Sequence, residues 1–60
     1  MKVRSGGLRV GDVVSTPIGD MVVLFRGGGV IVFEVPSLEA TLILHETILL
    51  GDDFEVIERN

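Results

Sequence analysis

The chain has 60 residues, 47% of them hydrophobic, with a mean hydropathy of +0.57, no cysteine, no tryptophan and no tyrosine. A single domain of this size buries only about 60% of the surface its unfolded chain exposes, and without cysteine it has neither disulfides nor thiolate metal sites to hold it together. The formal charge of −4 opposes general affinity for the phosphate backbone, because each neutralised phosphate needs a Lys or Arg.

Residues 1–60 read as one domain, with residues 1–7 as a candidate flexible arm. Leu8 to Val14 reads as a first strand with Gly11-Asp12 as a bend or bulge inside it. "STPIGD", Ser15 to Asp20, then breaks the chain. Pro17 suits the second position of a type I turn with Gly19 at the fourth, whereas type II would want glycine where Ile18 stands. Met21 to Arg26 and Val30 to Val35 read as strands on either side of three glycines. A phosphate-binding loop needs a helix after it and usually a lysine. This triplet leads into a β-branched run, so it reads as a hairpin in which one glycine supplies a positive φ. Both strands are apolar on both faces, with Val22 and Leu24 on one and Val23 and Phe25 on the other, unlike an open sheet with one wet face.

Pro36 to Leu50 has two readings. Ser37 could cap a helix running to Gly51, with Leu38, Leu42, His45 and Leu49 on one face. The β-branched Thr41, Ile43, Thr47 and Ile48 favour instead a strand at Ala40 to Leu44, a corner at His45 to Thr47 and a short return. Gly51 to Asp53 is a turn. Phe54 to Glu58 is a last strand, with Glu55 facing water and Phe54 and Val56 facing the core. The expected fold class is all-β, a small five-stranded barrel or strongly curled antiparallel sheet. The alternative is a β-rich fold with one helix near residues 38–50.

Catalytic chemistry is not indicated. A nucleophilic triad would need the lone His45 to meet both a serine and an acid. His45-Glu46 with Asp52-Asp53 offers one nitrogen ligand and reads as turn residues that keep the protein soluble. Phe25, Phe33 and Phe54 sit inside apolar runs and read as core, which argues against base stacking and against an aromatic-lined groove for proline-rich ligands. No catalytic, cofactor-binding or metal-binding residue is assigned, and no cofactor is expected.

The run "LRVGDVVSTPIGDMVVLF" with the closing "FEVIE" resembles small SH3-like barrels of the KOW and Tudor kind across nearly the whole chain. The resemblance implies a fold and no activity. Arg9-Val10-Gly11-Asp12, Ile18-Gly19-Asp20 and the stretch Val35 to Ile48 also resemble, in their order, carbon-storage-regulator translational repressors. That likeness implies a strand-swapped dimer that binds RNA, with His45 standing where that family has an RNA-binding arginine.

The apolar content exceeds what so short a chain readily encloses, which points to burial against another protein. The expectation is a non-enzymatic protein-interaction module, homo-oligomeric, cytoplasmic, and regulatory or phage-associated, using an interface of Val22, Leu24, Ile31, Phe33, Leu42 and Leu44. The alternative is a nucleic-acid-binding regulator using Lys2, Arg4, Arg9 and Arg26. No apolar run approaches the length that spans a bilayer, so no membrane partner is expected.

Overall fold

Val, Ile and Phe crowd the segments between the turn residues, and such side chains suit a pleated, half-buried surface. The computed structural model describes residues 1–49 and 51–59, which form six strands: β1 (Lys2–Arg4), β2 (Val13–Thr16), β3 (Gly19–Gly27), β4 (Val30–Val35), β5 (Ala40–His45) and β6 (Asp53–Glu58). They make one open antiparallel sheet in the order β1-β6-β2-β3-β4-β5. The all-β expectation holds, as a curled sheet that does not close. Six strands rather than five arise because Lys2–Arg4 pairs with β6, placing Val3 opposite Phe54.

No helix occupies the described part of residues 38–50. Two 3-10 turns, Pro36–Leu38 and Glu46–Leu49, bracket β5 instead. β5 pairs residue for residue with β4, from Val30 opposite His45 to Val35 opposite Ala40. Its β-branched Thr41 and Ile43 gain cross-strand neighbours there that a helix would not supply. The expected return after the corner is a 3-10 turn as far as Leu49, and Leu50 lies outside the described residues.

Curvature encloses the core. Two strands separate β4 from β6 in hydrogen-bonding order, which in a flat sheet would set them about 14 Å apart. Yet the rings of Phe33 and Phe54 stack with centroids 6.2 Å apart. Leu8, Val14, Met21, Val23, Ile31, Val35, Leu49 and Val56 are buried with Phe33, and Val3, Leu42 and Leu44 pack against them.

The turns are specified by a few residues. Gly28 and Gly29, with φ of 60° and 81°, form the two-residue loop between the paired Gly27 and Val30. Positive φ at both central positions is the type I′ geometry whose twist matches the flanking strands, so two glycines carry the turn rather than one. At Pro17-Ile18, Ile18 keeps a negative φ, which rules out type II. The strand expected over Leu8 to Val14 is β2, which begins only at Val13. Asp12 N–H donates to the Arg9 carbonyl at 3.0 Å, and Gly11 with φ of 94° completes a turn before β2 starts.

A β-bulge interrupts β3. Val23 stands opposite Phe33 and Phe25 opposite Val32, so Leu24 is an extra residue without a partner of its own. One inserted residue reverses the facing of everything after it. Val23 points into the core, Phe25 points out, and Arg26, opposite the buried Ile31, points in. The expected sharing of one face by Val23 and Phe25 is thereby overturned.

Replacing Gly28 or Gly29 by Val should lower the unfolding free energy by at least ~1 kcal/mol, because a β-branched residue resists positive φ. Gly28→Asn should stay within a few tenths of wild type, since asparagine tolerates that conformation. Urea denaturation of the three variants measures both effects.

Candidate interaction surface

The inner face is filled by the protein's own core, so the question is what the outer face carries. Paired residues share a face, and one cross-strand row on the outside reads Phe25, Val32 and Ile43 across β3, β4 and β5. Phe25 is 54% exposed and Ile43 67%, and the bulged Leu24 beside Phe25 is 44% exposed. Val22 and Val30 lie half-buried on the same face. Phe25 turns its ring over the backbone of Gly27, where an added Cβ would come within 3.1 Å of it. A smaller apolar site lies at one end of the fold. There Ser37 Oγ donates to the Ile18 carbonyl, and Ile18 and Leu38 are both exposed.

Of the interface residues expected from the sequence, Val22 and Leu24 lie on this outer face. Ile31 and Phe33 do not: both are sealed in the core, because β4 turns Ile31, Phe33 and Val35 inward. Leu42 and Leu44 stand opposite Phe33 and Ile31 and pack half-buried against the core. Sequence reasoning did not single out Val32, Phe25 or Ile43 as surface. Alternation of β4 and β5 shows that two faces differ, but with apolar residues on both it does not show which one turns inward. The bulge that exposes Phe25 leaves no local sequence signal.

The basic residues expected to bind nucleic acid do not form one cluster. Arg26 is committed inside the fold. Its Nη1 donates to the Ser5 carbonyl at 2.9 Å and the Leu8 carbonyl at 2.8 Å, and its Nη2 lies 3.1 Å from Glu46 Oε1. It thus clamps the amino-terminal 3-10 turn (Ser5–Gly7) and the turn after β5 onto the sheet. Lys2 and Arg4 are exposed on β1, each opposite an acidic residue, Glu55 and Asp53 respectively. Arg9 is exposed in the turn before β2.

The sequence also concealed a buried ion pair. Asp12 is fully buried, and Arg59 reaches it from 47 positions away, with Nε 3.1 Å from Oδ1 and Nη2 2.7 Å from Oδ2. The Arg9 N–H donates to Oδ2 at 2.9 Å, and Arg59 Nη2 also donates to the Gly7 carbonyl at 2.9 Å. The bidentate guanidinium holds the Asp12 carboxyl below its ordinary value of 3.8, with the Arg9 amide adding to the effect and burial opposing it. Every buried side-chain polar atom among the described residues has a partner. This pair therefore reads as a structural lock.

Among the described residues there is no pocket, no grouping of three or more His, Asp or Glu side chains able to hold a metal ion, and no helix long and apolar enough to cross a membrane.

A carboxyl whose pKa is lowered by folding contributes stability that is present above its unfolded value and lost as pH falls through the folded one. The urea midpoint should therefore drop as pH falls below 3.8, and the gap between wild type and Asp12→Asn should shrink over that window. Arg26→Ala should cost roughly 1–3 kcal/mol at neutral pH, because it removes the side-chain donor to the Leu8 carbonyl and one of the two donors to the Ser5 carbonyl, which keeps the Leu8 N–H. Arg9→Ala, an exposed control, should stay within about 0.5 kcal/mol.

No protein-family model matches the chain, and neither does any curated protein or solved structure.

Proposed function

We propose that the chain is a non-enzymatic protein-interaction module with an SH3-like small-barrel architecture, working in the cytoplasm as a homo-oligomer in a regulatory or phage-associated role. The observation that carries the reading is the outer row Phe25, Val32 and Ile43 with Leu24 beside it, on a sheet whose inner face is already occupied by its own core. Single exposed apolar residues are ordinary, whereas a contiguous apolar patch marks a surface that another molecule covers. The architectural part is supported by β2 to β6, five antiparallel strands curled so that the first and last are neighbours. That is the arrangement the resemblance of "VGDVV" and "FEVIE" implies.

The competing reading, a nucleic-acid-binding regulator, would use Lys2, Arg4 and Arg9, which project into solvent. It requires affinity that falls steeply with salt.

Light scattering at micromolar concentration should give a mass well above the 6.5 kDa of one chain. Ile43→Ser, which alters an exposed side chain of the row, should reduce that mass while changing stability by less than about 1 kcal/mol. A wild-type protein that stays monomeric would overturn the homo-oligomeric reading. Salt-sensitive binding to a diverse oligonucleotide pool, lost in Arg4→Ala, would favour the alternative.

A further inference from the structure

The two edges of the sheet are unlike. β1 is three residues long and carries Lys2 and Arg4, a short charged edge of the kind that discourages pairing with another chain. β5, at the other edge, is the six-residue "ATLILH", with no Lys, Arg, Pro or acidic residue within it. Its neighbour in the sheet is β4 alone.

The ladder shows which backbone groups of β5 are left open. Glu46 N–H donates to the Gly29 carbonyl at 2.9 Å, one step beyond the pair of Val30 and His45. Antiparallel pairs alternate between hydrogen-bonded and non-hydrogen-bonded. Ala40, Leu42 and Leu44 therefore bond to β4, and the N–H and C=O groups of Thr41, Ile43 and His45 point away from it. The type I′ hairpin gives the same parity independently. A two-residue loop closes on a hydrogen-bonded pair, Gly27 with Val30, so Val30 spends its groups on β3 and not on His45.

Resting on the reading of a homo-oligomeric module, we propose that a second copy of this chain pairs antiparallel with β5 across a two-fold axis at Ile43. In that register Ile43 faces the partner's Ile43 and Thr41 faces the partner's His45, so every outward-pointing backbone group of the strand finds a partner. The outer row then runs unbroken from Phe25, Val32 and Ile43 into the same three residues of the partner, and the two half-buried inner leucines, Leu42 and Leu44, meet each other's counterparts. Sliding by two residues either way sets Ile43 against Thr41 or His45 and breaks the row. No like charges meet at the axis. Each Glu34, opposite Thr41, lies in the same cross-strand row as the partner's His45, so no acidic residue of one copy faces an acidic residue of the other there. An unrelated extended peptide could satisfy the same backbone groups, but it would not extend the apolar row by symmetry.

The chain contains no cysteine, so Ile43→Cys places one thiol per copy at the axis. A short bis-maleimide should convert it largely to a covalent dimer at micromolar protein, whereas Ile57→Cys, exposed on β6, should not cross-link. Ile43→Lys, at an exposed position, should leave the fold intact and shift the mass to that of one chain. Amide exchange should show Thr41, Ile43 and His45 protected at high concentration and unprotected on dilution. An oligomer that persists in Ile43→Lys, with no cross-link at position 43 and no protection of those three amides, would overturn the β5 dyad while leaving the interaction reading in place. A wild-type monomer would overturn both.

Discussion

One unpaired residue in β3 decides which side chains this protein keeps and which it shows. Without the bulge at Leu24, Phe25 would follow Val23 into the core and Arg26 would point to solvent. With it, a large aromatic ring lies on the outside and a guanidinium lies inside, where the carbonyls of Ser5 and Leu8 and the carboxylate of Glu46 satisfy it. The half-buried Arg26 gives two donors to main-chain carbonyls and lies against a carboxylate, which offsets what its partial burial costs. In turn it secures two 3-10 turns that cap the curled sheet. The outer apolar row and the inner polar clamp thus share one cause.

A second polar lock works at the other end of the sequence. Asp12 and Arg59 join the turn before β2 to the residue after β6, and the carboxylate that is hidden most completely is also the one with three donated hydrogen bonds. With no disulfide and nine buried apolar side chains among the described residues, the fold relies on such long-range ties to hold the ends of its sheet together. Neither lock faces an opening in the surface, and both explain charged residues that would otherwise attract a functional reading.

The surface left over is uneven. The β1 edge is short and charged, whereas the β5 edge and the face beside it are apolar and unguarded. Proteins blunt exposed edges to avoid association, so an edge left open next to an exposed hydrophobic row is where association is best accommodated. Along that edge and row the exposed groups are hydrophobic side chains and main-chain amides.

Much of the strand pattern was legible in the residues themselves, since β-branching, turn glycines and Pro17 are local preferences, whereas the Lys2–Arg4 strand and the start of β2 at Val13 rather than Leu8 depend on pairing with β6 and on the turn at Gly11. The all-β class, the hairpin at Gly28-Gly29, the turn at Pro17 and the strand over Ala40 to Leu44 all follow from such preferences. Which of two apolar faces turns inward could not be read locally, because Ile31 and Val32 are equally oily and only closure around Phe33 and Phe54 distinguishes them. The bulge was hidden for the same reason: a one-residue slip is settled by pairing with β4, not by Leu24. Arg59 finding Asp12 and Arg26 turning inward depend on distant segments meeting. Charge count alone therefore placed Arg26 among surface cations, and tertiary structure reassigned it.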